Sequence, residues 1–498
     1  MTKPLNVCVL LIFTVCLAGA QTATVTHNVN LRSDPSTDNP PIVKLAPGTR
    51  LQLLDPNPNS GYYHVKTTSG IIGFVWGRNV QIESGENGPA GSGQPPAGTP
   101  PTTPSGAPVT GAPVPLLATG HPVSWWFVFK FNSASFPKCG GTAARACPFG
   151  GQVQNYAAYS QQFVYASSEA HTLQQGNDCL GDTTGDPIGA TFDQVYNNSF
   201  NYVIWNDQFY DDPQIQGCTT SCSAPWGHSK GMLAWNDVGE GLVLQVTTPS
   251  WPAAGSLQSP RTTDGNTLGC VKDDNVLVSQ HFFALKITKD DLLKILAALH
   301  NASVVTDTQN PQIVKNGGPS DVQQLVTQLG AKSNAKTFTS DVLSSGVELI
   351  SKPSKLNVPP WQMVSSILGG VSLRAATWWA NPKIYTTTGS TGVSCWDNSL
   401  SNPGAVQIAT TGHWAGQEFG LTGGLGKNFN HAKIGVSVSG THHYSIFGDM
   451  NQQGTVSGQQ CSSSQNGRGG LFYVIDDADL FDGLTGLISG GTAPTHAP

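Results

Sequence analysis

The chain has 498 residues, 11% of them charged, and a formal net charge of −6 at pH 7. It has no Lys/Arg-rich run, so it lacks the basic footprint of a protein that holds nucleic acid at any pH. No stretch beyond the first twenty residues carries about 18 consecutive apolar side chains, so no transmembrane helix is predicted.

Residues 1–20 predict a secretory signal. Lys3 gives a short positive start, Val7 to Leu17 is an apolar run too short to span a bilayer, and Ala18-Gly19-Ala20 fits a small-x-small cleavage pattern. The expected destination is secreted or periplasmic. Cys8 and Cys16 would leave with the signal. The eight cysteines that remain (Cys139, Cys147, Cys179, Cys218, Cys222, Cys270, Cys395 and Cys461) suit disulfides in an oxidising compartment. Zinc is the rival reading for Cys218 and Cys222, but no second pair stands at matching spacing.

Residues 24–83 predict a small all-β barrel. Short alternating segments at Ile42–Leu45, Gly48–Leu54, Tyr62–Lys66 and Gly73–Trp76 are separated by Gly, Pro and Asn turns. Asn30-Leu31-Arg32-Ser33, Pro47-Gly48-Thr49 and Gly73-Phe74-Val75-Trp76 resemble bacterial Src-homology-3-like domains. That resemblance implies a bacterial source and cell-wall material as a partner; the alternative is a barrel that only spaces or shields. Residues 84–119 are Gly, Pro, Ser and Thr with almost no apolar side chains, and predict a disordered linker.

Residues 120–485 predict one large mixed α/β domain. Strand-like runs fall at Ser124–Phe131, Tyr202–Asn206, Gly231–Trp235, Leu242–Thr247 and Phe282–Ile287. Helices are expected over Thr288–His300, with Thr288 as cap, and over Ser320–Leu329. The length exceeds one usual core and suits two fused halves. Residues 486–498 are rich in Gly, Thr and Pro and are expected to fray.

The chemistry lies at two places. Gly227-His228-Ser229-Lys230-Gly231 precedes the apolar run Met232-Leu233-Ala234-Trp235. Asn430-His431-Ala432-Lys433 precedes Ile434–Val438. One His-x-Lys arises easily by chance among 12 His and 25 Lys+Arg. Two, each leading into an apolar run, form a pattern. In an extended strand, residues i and i+2 share a face, so each pair presents an imidazole beside an ammonium. An imidazole can attack phosphorus or carry a proton, and a fixed cation balances the non-bridging oxygens.

Around these pairs the chain resembles the deoxyribonuclease II family, a branch of the phospholipase D superfamily. The matches run in order: Val123-Ser124-Trp125-Trp126-Phe127-Val128-Phe129-Lys130, Trp205-Asn206-Asp207-Gln208, the two His-x-Lys blocks, Gly448-Asp449-Met450-Asn451 and Arg468-Gly469-Gly470. The wider superfamily places an Asp five positions after each Lys. Here those positions hold Trp235 and Val438, a lack that the chain shares with deoxyribonuclease II enzymes. The second block has Ile434 where the family often has Trp.

The resemblance implies a pseudo-dimer of two mixed α/β halves with one active site, closed within a single chain without need of an oligomer. It implies metal-independent cleavage of DNA through a phosphohistidine, with no cofactor, leaving 3′-phosphate ends. His228, Lys230, His431 and Lys433 would be catalytic. Asn206, Asp207, Asp449 and Asn451 are candidates to orient them or to bind substrate, with turn capping as the competing role. Alternatives are a phosphodiesterase acting on RNA or a lipid headgroup, and a non-catalytic wall-binding protein.

Other signals are weaker. His442-His443 would point to opposite strand faces and chelate poorly. Asp211-Asp212 and Asp476-Asp477 suit solvated turns. No phosphate-binding P-loop and no Gly-x-Ser-x-Gly elbow is present. Without Lys3 the charge becomes −7, and protonating all 12 His would move it to +5, so a polyanion would bind chiefly in acid.

Overall fold

The computed structural model describes residues 22–83, 111–137, 162–209, 222–249 and 277–496, save positions 27, 36–40, 56–57, 59–61, 178 and 182. The expected signal peptide, most of the linker, Asp211-Asp212, and Cys139, Cys147, Cys218 and Cys270 lie outside these residues. The chain divides into two units, residues 1–103 and 104–498.

In the first unit five strands form one antiparallel sheet in the order Ile72–Trp76, Tyr62–Thr67, Arg50–Leu53, Thr22–Val25, Val80–Glu83. A two-stranded hairpin, Val29–Leu31 with Val43–Leu45, joins it through a bridge between Arg32 and Phe74. Among the described residues the ladder does not close into a barrel. Alternation explains the strands: in Arg50–Leu53, Leu51 and Leu53 turn inward while Arg50 and Gln52 face water. The first strand begins at Thr22, ahead of the expected start of the domain.

The second unit is mixed α/β: mostly strands, with five helices among the described residues. One eight-stranded sheet runs Ala170–Gln175, Phe163–Ser167, Trp125–Lys130, Gln280–Ile287, Gly241–Val246, Lys230–Trp235, Asn201–Asn206, Val314–Lys315. A seven-stranded sheet runs Thr339–Val342, Glu348–Lys352, Gly470–Asp476, Tyr444–Gly448, Ile434–Ser437, Leu373–Ala376, Val406–Ile408. The second sheet repeats the first. Its strands from Glu348–Lys352 to Leu373–Ala376 have the spatial order of those from Trp125–Lys130 to Asn201–Asn206. Numbered along the chain within each set, both read 1-5-4-3-2. A helix follows strand 5 in both: Lys289–Asn301 and Ala478–Leu487.

Trp125–Lys130, Asn201–Asn206, Lys230–Trp235 and Gly241–Val246 of the first sheet are buried along their whole length, which is why they read as apolar runs rather than alternating ones. The sheets meet through rings. Phe127 stacks on Phe447 with centroids 4.7 Å apart, and Phe283 lies 4.8 Å from Phe447. A second core, with Trp361 and Phe472, fills the outer face of the second sheet beneath helix Pro360–Ile367.

Thr288 caps Lys289–Asn301 in a capping box with Asp291. The other expected helix is shorter, Ser320–Val326. Two expected boundaries are corrected. Residues 114–118 belong to the fold rather than to the linker: the Val114 and Leu116 amides donate to Gln194 and Thr191 on helix Pro187–Tyr196. The tail is held beyond 486, because Arg374 donates to the carbonyls of Ile488, Gly490 and Gly491. Cys395 and Cys461, 66 residues apart, form a disulfide, and Cys179 and Cys222 are also disulfide-bonded.

Candidate active site

The two His-x-Lys pairs occupy equivalent places in the repeat, each leading into strand 3 of its set. Lys230 opens Lys230–Trp235 and Lys433 immediately precedes Ile434–Ser437. The halves cross at this point. The amide of His228 donates to the carbonyl of Gly469, just before strand 5 of the second half (2.8 Å). The amide of His431 donates to the carbonyl of Ser279, just before strand 5 of the first (2.7 Å). Each motif is thus bonded to the other half's sheet.

His228, Lys230, His431 and Lys433 line one cavity of about 230 Å³, together with Gln208, Thr247, Pro249, Trp378, Leu425 and Asn451. Gly231 is required beside the first motif. A Cβ there would lie 2.3 Å from the Trp205 ring and 2.5 Å from the Leu244 carbonyl, both fixed in the core.

His228 donates from Nδ1 to the backbone carbonyl of Asp449 at 2.7 Å. A carbonyl only accepts, so Nδ1 carries the proton and, in the neutral ring, Nε2 keeps the lone pair. Burial holds this imidazole well below its ordinary value, and the Lys230 cation pushes the same way. The Asp449 carboxyl is itself buried. Burial pushes it up to about 7, against bonds from Ser229, the Leu471 amide (3.0 Å) and Gln245 Nε2 (3.1 Å).

Lys230 donates to Asp207 Oδ1 at 2.6 Å, and Arg468 donates to Asp207 Oδ2 at 2.7 Å. Burial opposes ionisation of Asp207, but these two cations outweigh it and hold the carboxyl well below the usual range. Arg468 also donates to the carbonyls of Trp226 and Gly227, so it ties the second half to the turn that leads into His228.

The second motif has different neighbours. The Trp378 ring meets His431 edgewise with centroids 4.1 Å apart. The Gln280 amide nitrogen lies 3.4 Å from His431 Nδ1, and Gln280 Oε1 accepts from Thr247. The Lys433 ammonium donates to the His431 carbonyl, and its amide donates to His281 Nδ1 at 3.1 Å. His281 is held well below its ordinary value by burial first and Lys433 second.

The remaining candidates divide. Asp207 and Asp449 touch the first motif, and Asn451 lines the cavity while donating to Gln453. Asn206 accepts from the Gln208 amide. His442 pairs with Asp476 (2.6 Å), and Asp477 caps the last helix. Among the described residues no group of three or more His, Cys, Asp or Glu is placed to hold a metal. Sequence reasoning assigned no role to Arg468, Gln245, Gln280, Thr247 or Trp378. Arg468 lay in a matched block, but the bonds that give it a task join positions more than 200 residues apart.

A strand repeat that closes one cavity around paired imidazoles and ammoniums defines a phosphodiesterase-like class of protein. Residues 116–489 match the deoxyribonuclease II family, and the chain belongs to it. It is therefore a hydrolase of phosphodiester bonds, and the family implies DNA as its substrate. Residues 27–81 match the bacterial SH3 domain family. No curated protein matches the chain. Among the described residues no helix is long and apolar enough to cross a membrane.

Proposed function

We propose that the chain is a secreted acid endonuclease that hydrolyses DNA without metal through a phosphohistidine. The observation that carries this reading is the convergence of both His-x-Lys pairs on one cavity. The repeated strand order supports a phospholipase D-like pseudo-dimer whose single active site needs no second chain.

In this mechanism His228 Nε2 attacks phosphorus, the P–O5′ bond breaks, and His431 gives its proton to the departing oxygen. His431 then takes a proton from water. The hydroxide attacks phosphorus, the P–N bond breaks, and His228 is restored, leaving a 3′-phosphate and a 5′-hydroxyl. Lys230 and Lys433 hold the non-bridging oxygens. The bond from His228 Nδ1 to a carbonyl and the low affinity of this ring for protons favour His228 as nucleophile. Burial lowers the proton affinity of the His228 ring, so Nε2 keeps its lone pair below the pH at which an ordinary imidazole charges. Asp207, Asp449 and Asn451 would orient these groups, Asp207 by fixing Lys230.

Acid also favours DNA binding, although burial holds His228 and His281 well below their ordinary values, so histidine alone gives less than the full rise to +5 in mild acid. Asp186 and Asp449, both pushed up to about 7 by burial, take up protons over the same range. The N-terminal unit would contact cell-wall material. Ile72 and Trp76 stand exposed on one face of its edge strand, a surface suited to that task.

Plasmid nicking followed from pH 4 to 9, in EDTA and in Mg²⁺, tests the reading. A bell-shaped profile peaking below neutrality and indifferent to EDTA is expected. An alkaline optimum abolished by EDTA would replace it with metal-activated water.

A further inference from the structure

Two lysines outside the cavity are fully buried and equivalent in the repeat. Lys130 ends strand 1 of the first half and faces Gln280 in register. Lys352 ends strand 1 of the second half and faces Gly470. Each ammonium donates to the carbonyl of the next residue, Phe131 and Pro353 respectively. Each also reaches the loop that enters strand 5. Lys130 donates to the Val278 carbonyl at 2.7 Å, and Lys352 donates to the carbonyls of Asn466 (2.7 Å) and Arg468 (2.8 Å).

In each half, one clamped carbonyl belongs to the residue just before the one that receives the other half's histidine. Val278 precedes Ser279, whose carbonyl accepts the His431 amide. Arg468 precedes Gly469, whose carbonyl accepts the His228 amide. We propose that Lys130 and Lys352 are reciprocal positioning residues: Lys130 sets the placement of His431, and Lys352 sets the placement of His228. The lysine of each half works across the junction. This rests on the two-histidine reading of the site.

The physical argument is one of cost. Burying an ammonium is unfavourable unless its N–H groups find oxygens, and an apolar side chain of similar volume would pack the same space without that cost. Burial pushes Lys352 down to about 7 against its ordinary value of 10.5, so the cost is present. Among the carbonyls that repay it, those of Val278 and Arg468 lie in the loops entering strand 5, each one residue ahead of the carbonyl that bonds the other half's histidine. A loop freed there would shift the histidine backbone, and a displacement of about 1 Å at a reacting group can cost about 10²-fold in rate.

The test uses the full chain with ¹³C-labelled histidine, carrying Lys130→Met or Lys352→Met. Lys352→Met should move the ring signals of His228 and leave those of His431. Lys130→Met should do the reverse. Signals are assigned from His228→Ala and His431→Ala. On DNA each variant should lose about 10–100-fold in kcat with KM within about twofold of the parent. General destabilisation would not give the crossed pattern. If a methionine variant does not fold, Lys→Gln at the same position, which keeps a donor, gives the same pattern at smaller amplitude. Uncrossed shifts, unchanged signals or wild-type kcat would overturn the proposal. A parent protein that leaves DNA uncut would instead remove the nuclease reading, while the crossed signals would still test the brace.

Discussion

The two halves of the catalytic unit share one strand order and one motif, yet they surround that motif differently. The strand 2 that flanks each motif shows why. In the first half it ends at Asn206 and is followed by Asp207, which takes Lys230 and Arg468. In the second it ends at Ala376, and the residue matching Asp207 in the repeat is Trp378, which packs on His431. The same backbone thus delivers a carboxylate to one lysine and an aromatic ring to the other histidine. Topology decides where the chemistry can sit. The side chain just past strand 2 decides what surrounds each motif.

The largest expected effect removes a histidine. His228→Ala or His431→Ala should lower DNA cleavage by about 10³-fold or more without loss of the fold. Near-parental cleavage by His431→Ala would break the division of labour. Next comes the carboxylate peculiar to the first half. Asp207→Ala leaves Lys230 and Arg468 buried without it and should cost about 3–5 kcal/mol of stability in denaturant unfolding. A neutral outcome would show that the network is not what separates the halves. Lys230→Ala and Lys433→Ala should each cost about 10²-fold in kcat. Steady-state kinetics with a much larger loss for one of them would sharpen the asymmetry.

The smallest effect lies away from the cavity, at Asp186, the cap of helix Pro187–Tyr196. Burial pushes its carboxyl up to about 7 from the ordinary 3.8. The folded chain therefore holds a proton that the unfolded chain releases between those values. The stability this contributes is fully present below about pH 3.8 and is lost as pH rises through 7. Asp186→Asn mimics the protonated form. Measured against the parent, it should gain stability from pH 4 to pH 8, by a few kcal/mol at most, while the cavity's response to pH stays unchanged. A constant difference between parent and variant would contradict this.

The strands and the motifs were legible because their signals are local. Phe127, Val128 and Phe129 lie in an unbroken apolar run of the kind that only a strand buried on both faces needs, and Thr288 with Asp291 spells a cap within four residues. Much of the second half was less legible. Leu373–Ala376 and Val406–Ile408 are short, and helix Pro360–Ile367 opens on the last of three prolines within eight residues, so periodicity had little length to act on. The order of the tail has no local signal, because Gly490, Gly491 and Thr492 accept from Arg374, more than 110 residues away. The partners that distinguish the motifs were invisible for the same reason. Arg468 and Asp207 meet across 261 positions, and nothing local to either announces it.

The central claim is that His228, held neutral with Nε2 free to attack, carries the phosphoryl group while His431 moves protons. The most direct measurement is trapping of the covalent adduct on a labelled oligonucleotide at the pH of fastest turnover, quenched in alkaline denaturant because a P–N bond survives alkali and not acid, followed by peptide mapping. The account predicts the phosphoryl group on His228, with more adduct accumulating in His431→Asn, which cannot activate water. An adduct mapped to His431, or cleavage with no phosphohistidine in either protein, would contradict it.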